Sequence, residues 1–106
     1  MQNDSITIEW APFRARPGVT DDDVRAAAAA IQGEFLAQQP GFLRRELLRA
    51  ADGGYVDLLW WKDAASAEAA MGKVGDSPAC ARYFALMAGD PSDPSAVQHL
   101  TRVASY

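Results

Sequence analysis

Four residues near the middle of the chain, Ala51-Asp52-Gly53-Gly54, limit its possible folds more than any other feature. Asp and Gly tolerate the positive φ that a tight hairpin demands. On either side lie two strand-like segments, GFLRRELLRA (41–50) and YVDLLWWKD (55–63). They are therefore expected to run antiparallel as neighbours in a sheet. Leu43 and Leu47 should share a face of the first. In the second, Val56, Leu58 and Trp60 alternate with Tyr55, Asp57, Leu59 and Trp61, because side chains along a strand point to opposite faces in turn.

The rest of the chain arranges itself around this hairpin. Ser5 to Phe13 has a period of two, with Ile6, Ile8 and Trp10 on one side and Thr7, Glu9 and Ala11 on the other. Pro17-Gly18 marks a turn. Thr20 is a good helix N-cap, and Asp21, Asp22 and Asp23 place negative charge in the first turn, where the helix dipole favours it. Val24, Ala27, Ala28, Ile31 and Phe35 then keep helical spacing up to a stop near Gln39, ahead of Pro40-Gly41. Asp63 can cap a second helix with the stripe Ala67, Ala70, Met71 and Val74, broken near Gly75-Asp76. Ser77 and Pro78 start a further helical segment, in which Cys80, Tyr83, Phe84 and Met87 continue the apolar face. Gly89 to Ser95 reads as a polar loop and Ala96 to Ser105 as a last strand.

The order strand, helix, strand, strand, helix, strand is that of a ferredoxin-like α+β domain, βαββαβ, with a four-stranded antiparallel sheet. At 106 residues it should be one domain over 1–106. Right-handed crossovers place both helices on one sheet face and leave the other bare. The all-apolar set Val56, Leu58 and Trp60 is expected under the helices. Tyr55, Asp57, Leu59 and Trp61 are expected on the bare face. One buried aromatic removes about 150–250 Å² from water, on the order of 4–6 kcal/mol as an upper bound. Soluble monomers seldom leave such a patch open, so a homodimer through the open sheet face is expected, with a cavity between the two sheets.

Composition narrows the partners. A net charge of −4 argues against broad nucleic-acid or anionic-membrane surfaces. A single cysteine, Cys80, excludes an internal disulfide and a cysteine-based metal site, and no His/Asp/Glu cluster has metal-ligand spacing. No apolar run reaches the roughly 20 residues that span a bilayer. The N-terminus lacks a basic stretch followed by an apolar one, so a cytoplasmic protein is expected.

The segment PGFLRRELLRAADGGYVDLLWWKDAASAEAA, Pro40 to Ala70, resembles the central signature of the antibiotic biosynthesis monooxygenase-like family of dimeric α+β barrels. It shares a Pro-Gly-Phe lead-in, a hairpin, a strand ending in Trp, and an alanine-rich helix. The resemblance implies a dimeric barrel, and among its activities cofactor-independent oxygenation of anthrone-like substrates. In anthrone-oxidising members the conserved Trp matches Trp61. A side-chain amide four residues earlier matches Asp57, here a carboxylate, and a later Tyr falls near Ala67 and has no counterpart. In haem-degrading members a strand-one Asn would fall near Glu9 or Trp10, and a helical His near Arg82 or Tyr83. Neither is present, which argues against that activity.

The expected catalytic residues are thus Asp57 as a base, Trp61 as a stacking and N–H-donating group, and His99. Tyr55, Leu59, Trp10 and Tyr83 are expected to contact an aromatic ligand, with no cofactor and no metal. Against this stands a bland reading of each. Asp57 would be an interface ion-pair partner of Arg44 or Arg102, Trp61 a packing residue, and His99 a structural or surface group. Two functions follow: a cofactor-free monooxygenase acting on a small aromatic, polyketide-like substrate, or a non-catalytic dimeric barrel that binds a small hydrophobic ligand or only associates.

Overall fold

The computed structural model describes residues 5–89 and 96–106. Strand β1 (Thr7–Phe13) leads into helix α1 (Asp21–Glu34), followed by strands β2 (Phe42–Arg49) and β3 (Tyr55–Trp61). Helices α2 (Ala64–Met71) and α3 (Pro78–Ala85) then precede strand β4 (Gln98–Thr101). The strands form one antiparallel sheet in the order β2-β3-β1-β4, the ferredoxin-like arrangement.

Local chemistry accounts for most boundaries. Thr20 accepts from the Asp23 amide while the Asp23 carboxylate accepts from the Thr20 amide, a closed capping box at the start of α1. Asp63 and Ser77 cap α2 and α3 through the amides of Ser66 and Cys80. Gly41 takes φ +84°, and a Cβ there would collide with the Ser66 side chain, so the turn into β2 requires glycine.

Three elements differ in extent from expectation. The α1 helix ends at Glu34, and a 3-10 turn, Leu36–Gln38, completes the run to Gln39. The second helix stops at Met71, because Gly72 and Gly75 destabilise its continuation, and a 3-10 turn follows at Val74–Asp76. The last strand is four residues long rather than ten, and all four are exposed. The expected Gly89–Ser95 loop lies, apart from Gly89, outside the described residues.

The main correction concerns the two faces of the sheet. Tyr55, Asp57, Leu59 and Trp61 lie under the helices, where Tyr55, Leu59 and Trp61 join Val24, Ile31, Ala67, Ala70 and Tyr83 in the core. Trp61 is 1% exposed. Leu58 and Trp60 are on the open face, opposite Trp10 and Ile8 of β1. The Arg44 guanidinium lies 4.4 Å over the Trp60 ring. The acid is tolerated under the helices because Arg45 of β2 meets it there, at 2.7 and 2.9 Å. The alanines of α2 leave room for the indole of Trp61. A bulge between Phe42 and Arg44 also breaks the alternation of β2, leaving Leu43 exposed while Leu47 packs against the core.

Candidate active site

Between the helix-covered sheet face and the helices lies a cavity of about 720 Å³, within the range of small-molecule sites. It lies on the helix-covered side of the sheet. Its floor is Glu9, Ala11 and Phe13 of β1 with Asp57, Leu59 and Trp61 of β3. Aliphatic and aromatic side chains of α1, α2 and α3 form the walls.

One polar cluster centres on Asp57. Arg45 donates from Nε to Oδ1 at 2.7 Å and from Nη2 to Oδ2 at 2.9 Å. The Tyr83 hydroxyl donates to Oδ2 at 2.6 Å, and Arg45 Nη1 donates to the Ala28 carbonyl of α1 at 2.8 Å. The side chains of Arg45 and Asp57 are 7% and 8% exposed, so this is a buried, fork-to-fork ion pair. Burial works against the charged guanidinium, but the hydrogen bonds and charge of Asp57 outweigh it, and Arg45 holds its proton more tightly than usual. Burial, reinforced by the negative charge of Asp57, pushes the Tyr83 hydroxyl well above its ordinary range and keeps it a donor.

The second cluster centres on Glu9. Trp61 donates from Nε1 to Glu9 Oε1 at 3.2 Å, and His99 Nε2 lies 3.4 Å from the same oxygen. Both contacts fall on Oε1. Glu9 is 9% exposed, and burial raises its pKa above the ordinary 4.5. Charge on His99 and the Trp61 N–H work in the opposite direction, while Asp57 adds to the rise.

Of the residues singled out in the sequence, Asp57, Leu59, Trp61 and Tyr83 line the cavity together. His99 is the cross-strand neighbour of Glu9, which settles its face as the helix side. Tyr55 stacks on Phe13 and donates its hydroxyl to Asp21 at 2.9 Å, outside the cavity lining. That bond, with those from Arg49 and Arg25, lowers the Asp21 pKa to about 2. Trp10 is 38% exposed on the opposite face. The partner of Asp57 is Arg45 of the same chain, not Arg44 or Arg102. Arg44 instead pairs with Glu46, on the open face.

Sequence reasoning passed over Glu9 and Arg45. Glu9 carried one signal, an acid on the Thr7-Ala11 side of β1. Its neighbours across the sheet depend on the register with β3 and β4.

Fold and pocket together define a ferredoxin-like domain with a ligand-sized cavity under its helices. The model of the antibiotic biosynthesis monooxygenase family matches residues 8–86, and the chain belongs to that family. SnoaB, a cofactor-independent oxygenase from Streptomyces nogalater, is 24% identical with a TM-score of 0.68, over 98% of this chain and 96% of that one. A Bordetella bronchiseptica protein provisionally named an antibiotic biosynthesis monooxygenase has a TM-score of 0.77 at 16% identity, over 94% and 99% of the two chains. Rv0793 from Mycobacterium tuberculosis is 23% identical with a TM-score of 0.66, over 95% and 98%. These likenesses speak for the fold. Among curated proteins, none matches the chain in sequence. Among the described residues, no helix is long and apolar enough to cross a membrane.

Proposed function

We propose that the protein is a cofactor-independent monooxygenase that oxidises a small, flat aromatic substrate, of the anthrone or polyketide kind, inside the cavity. The observation that carries this reading is the cavity itself, about 720 Å³ with apolar walls and a floor presenting an indole N–H and two carboxyl groups. An anthrone loses a carbon-bound proton readily, and its enolate can pass an electron to molecular oxygen. Such a reaction asks the protein for water-poor walls, a proton acceptor and fixed hydrogen-bond donors for the developing oxyanion. The Trp61 N–H, which donates to Glu9, is a donor of that kind by turning from Glu9 to the substrate, while the Tyr83 hydroxyl stays committed to Asp57. Leu59 and Phe13 supply surface against an aromatic ring. Membership of the family and the fold shared with SnoaB support the same reading.

The test is oxygen uptake with a panel of anthrones, comparing wild type with Trp61→Phe. Wild type should consume oxygen in step with ketone formation. Loss of the indole N–H should slow turnover by about tenfold to a hundredfold, as expected for a positioned donor. No uptake across the panel would leave ligand binding without catalysis as the function.

The same reading includes a homodimer through the open sheet face. Trp10, Leu48 and Leu100 are each at least 38% exposed on that one side. Sedimentation at micromolar concentration should show a dimer, and Trp10→Glu should dissociate it.

A further inference from the structure

Two acids face the cavity, and among the described residues no lysine or arginine lines it. Arg45 is engaged by Asp57, so an anionic ligand would meet two carboxyl groups without a counter-charge. The two acids are not equivalent. Asp57 accepts three hydrogen bonds from Arg45 and Tyr83, which occupy both oxygens. Glu9 is met by an indole N–H and an imidazole, both on Oε1. A carboxylate with a weakly engaged oxygen beside an apolar cavity is suited to accept a proton from a ligand.

We infer that Glu9 is the proton acceptor of this site, and that the substrate is a neutral carbon acid which gives its proton to the Glu9 carboxylate. The inference rests on the oxygenase reading above. In it, Glu9 takes a proton from the substrate methylene, and the electron pair stays behind as an enolate. The enolate passes one electron to O₂, and the substrate radical and superoxide combine with formation of a C–O bond. The peroxide anion takes the proton back from Glu9, and the hydroperoxide loses water to leave a ketone. In sum, CH₂ and O₂ become C=O and H₂O, with O₂ as the oxidant.

The titratable groups that share this site with Glu9 are Asp57 on β3, Tyr83 on α3 and His99 on β4, while α1 and α2 present only apolar residues. His99 is then a positioning residue that tunes Glu9. Its charge lowers the Glu9 pKa, so removing it should move the acid limb of the rate to higher pH.

The experiment mixes 1,8-dihydroxyanthrone with the protein without oxygen, follows the visible absorbance of the anthrone anion, and then admits oxygen. Wild type should form the bound anion, and Glu9→Gln should bind the anthrone but form the anion at least about a hundredfold more slowly. Equal anion formation by both would overturn the Glu9 assignment and leave the oxygenase reading standing. Neither anion nor oxygen uptake in wild type would overturn both. Circular dichroism reports whether Glu9→Gln folds. If it does not, His99→Gln decides: an upward shift of the acid limb supports the assignment, and an unmoved limb overturns it.

Discussion

Asp57 and Glu9 are carboxyl side chains on the same face of the same sheet, and the fold surrounds them in opposite ways. Asp57 sits where β2, β3, α1 and α3 converge, because Arg45 binds it in a bidentate fork while reaching the Ala28 carbonyl, and Tyr83 closes from α3. Glu9 sits toward the β4 side, with an indole on one side and the histidine of an exposed four-residue strand on the other. The first acid holds elements together. The second meets its two partners through one oxygen, Oε1. Burial alone therefore does not mark a reactive acid; the number and charge of its donors decide.

The strongest way to break this contrast is to remove the arginine. Arg45→Met leaves Asp57 buried without its counter-charge, and should lower stability by roughly 3–5 kcal/mol in urea unfolding. Adding Asp57→Leu should recover most of that loss, because an apolar pair of similar volume has no desolvation to offset. If Arg45→Met cost less than about 1 kcal/mol, the ion pair would not be the organising contact described above.

A smaller effect is expected from Tyr83→Phe. It deletes one hydrogen bond to a charged acceptor and should cost about 1.5–3 kcal/mol by the same measurement. It also loosens Asp57, which lines the cavity, so anthrone turnover should fall along with stability.

The smallest effect sharpens the comparison from the other side. Glu9 has its pKa raised in the folded protein, so the folded state prefers it protonated. Stability attached to this group is present below the unfolded carboxyl pKa and is lost as pH rises through the folded one. Glu9→Gln should therefore leave the melting temperature unchanged or slightly higher at pH 7–8, with any gain vanishing near pH 4. A marked loss of stability at pH 7 would show that Glu9 holds the fold as Asp57 does.

Much of the architecture was legible because local signals agree with one another. The Asp52-Gly53-Gly54 turn, the Thr20 N-cap and the Ser77-Pro78 helix start each act within a few residues, and each appears as expected. The site was less legible. Alternation separates Trp60 from Trp61 with certainty, but it cannot say which of two largely apolar faces the helices cover. An acid on one of them suggested exposure, and that suggestion misled, since Arg45 is twelve residues away in sequence and meets Asp57 only across the β2–β3 ladder. The lone histidine was likewise unplaced until the β1–β4 register set it beside Glu9.

By itself, then, the chain determined its element order, its antiparallel hairpin, the separation of the paired tryptophans onto opposite sides, and the family to which Pro40–Ala70 points. Those properties rest on backbone preferences and side-chain periods that act over a few residues. Tertiary structure alone decided that Trp61 and Asp57 lie beneath the helices, that the cavity opens on that side of the sheet, and that Asp57 meets three donors while both contacts of Glu9 fall on one oxygen. These outcomes depend on contacts between residues far apart in sequence, where a buried charge is tolerable only once its partner has been brought to it.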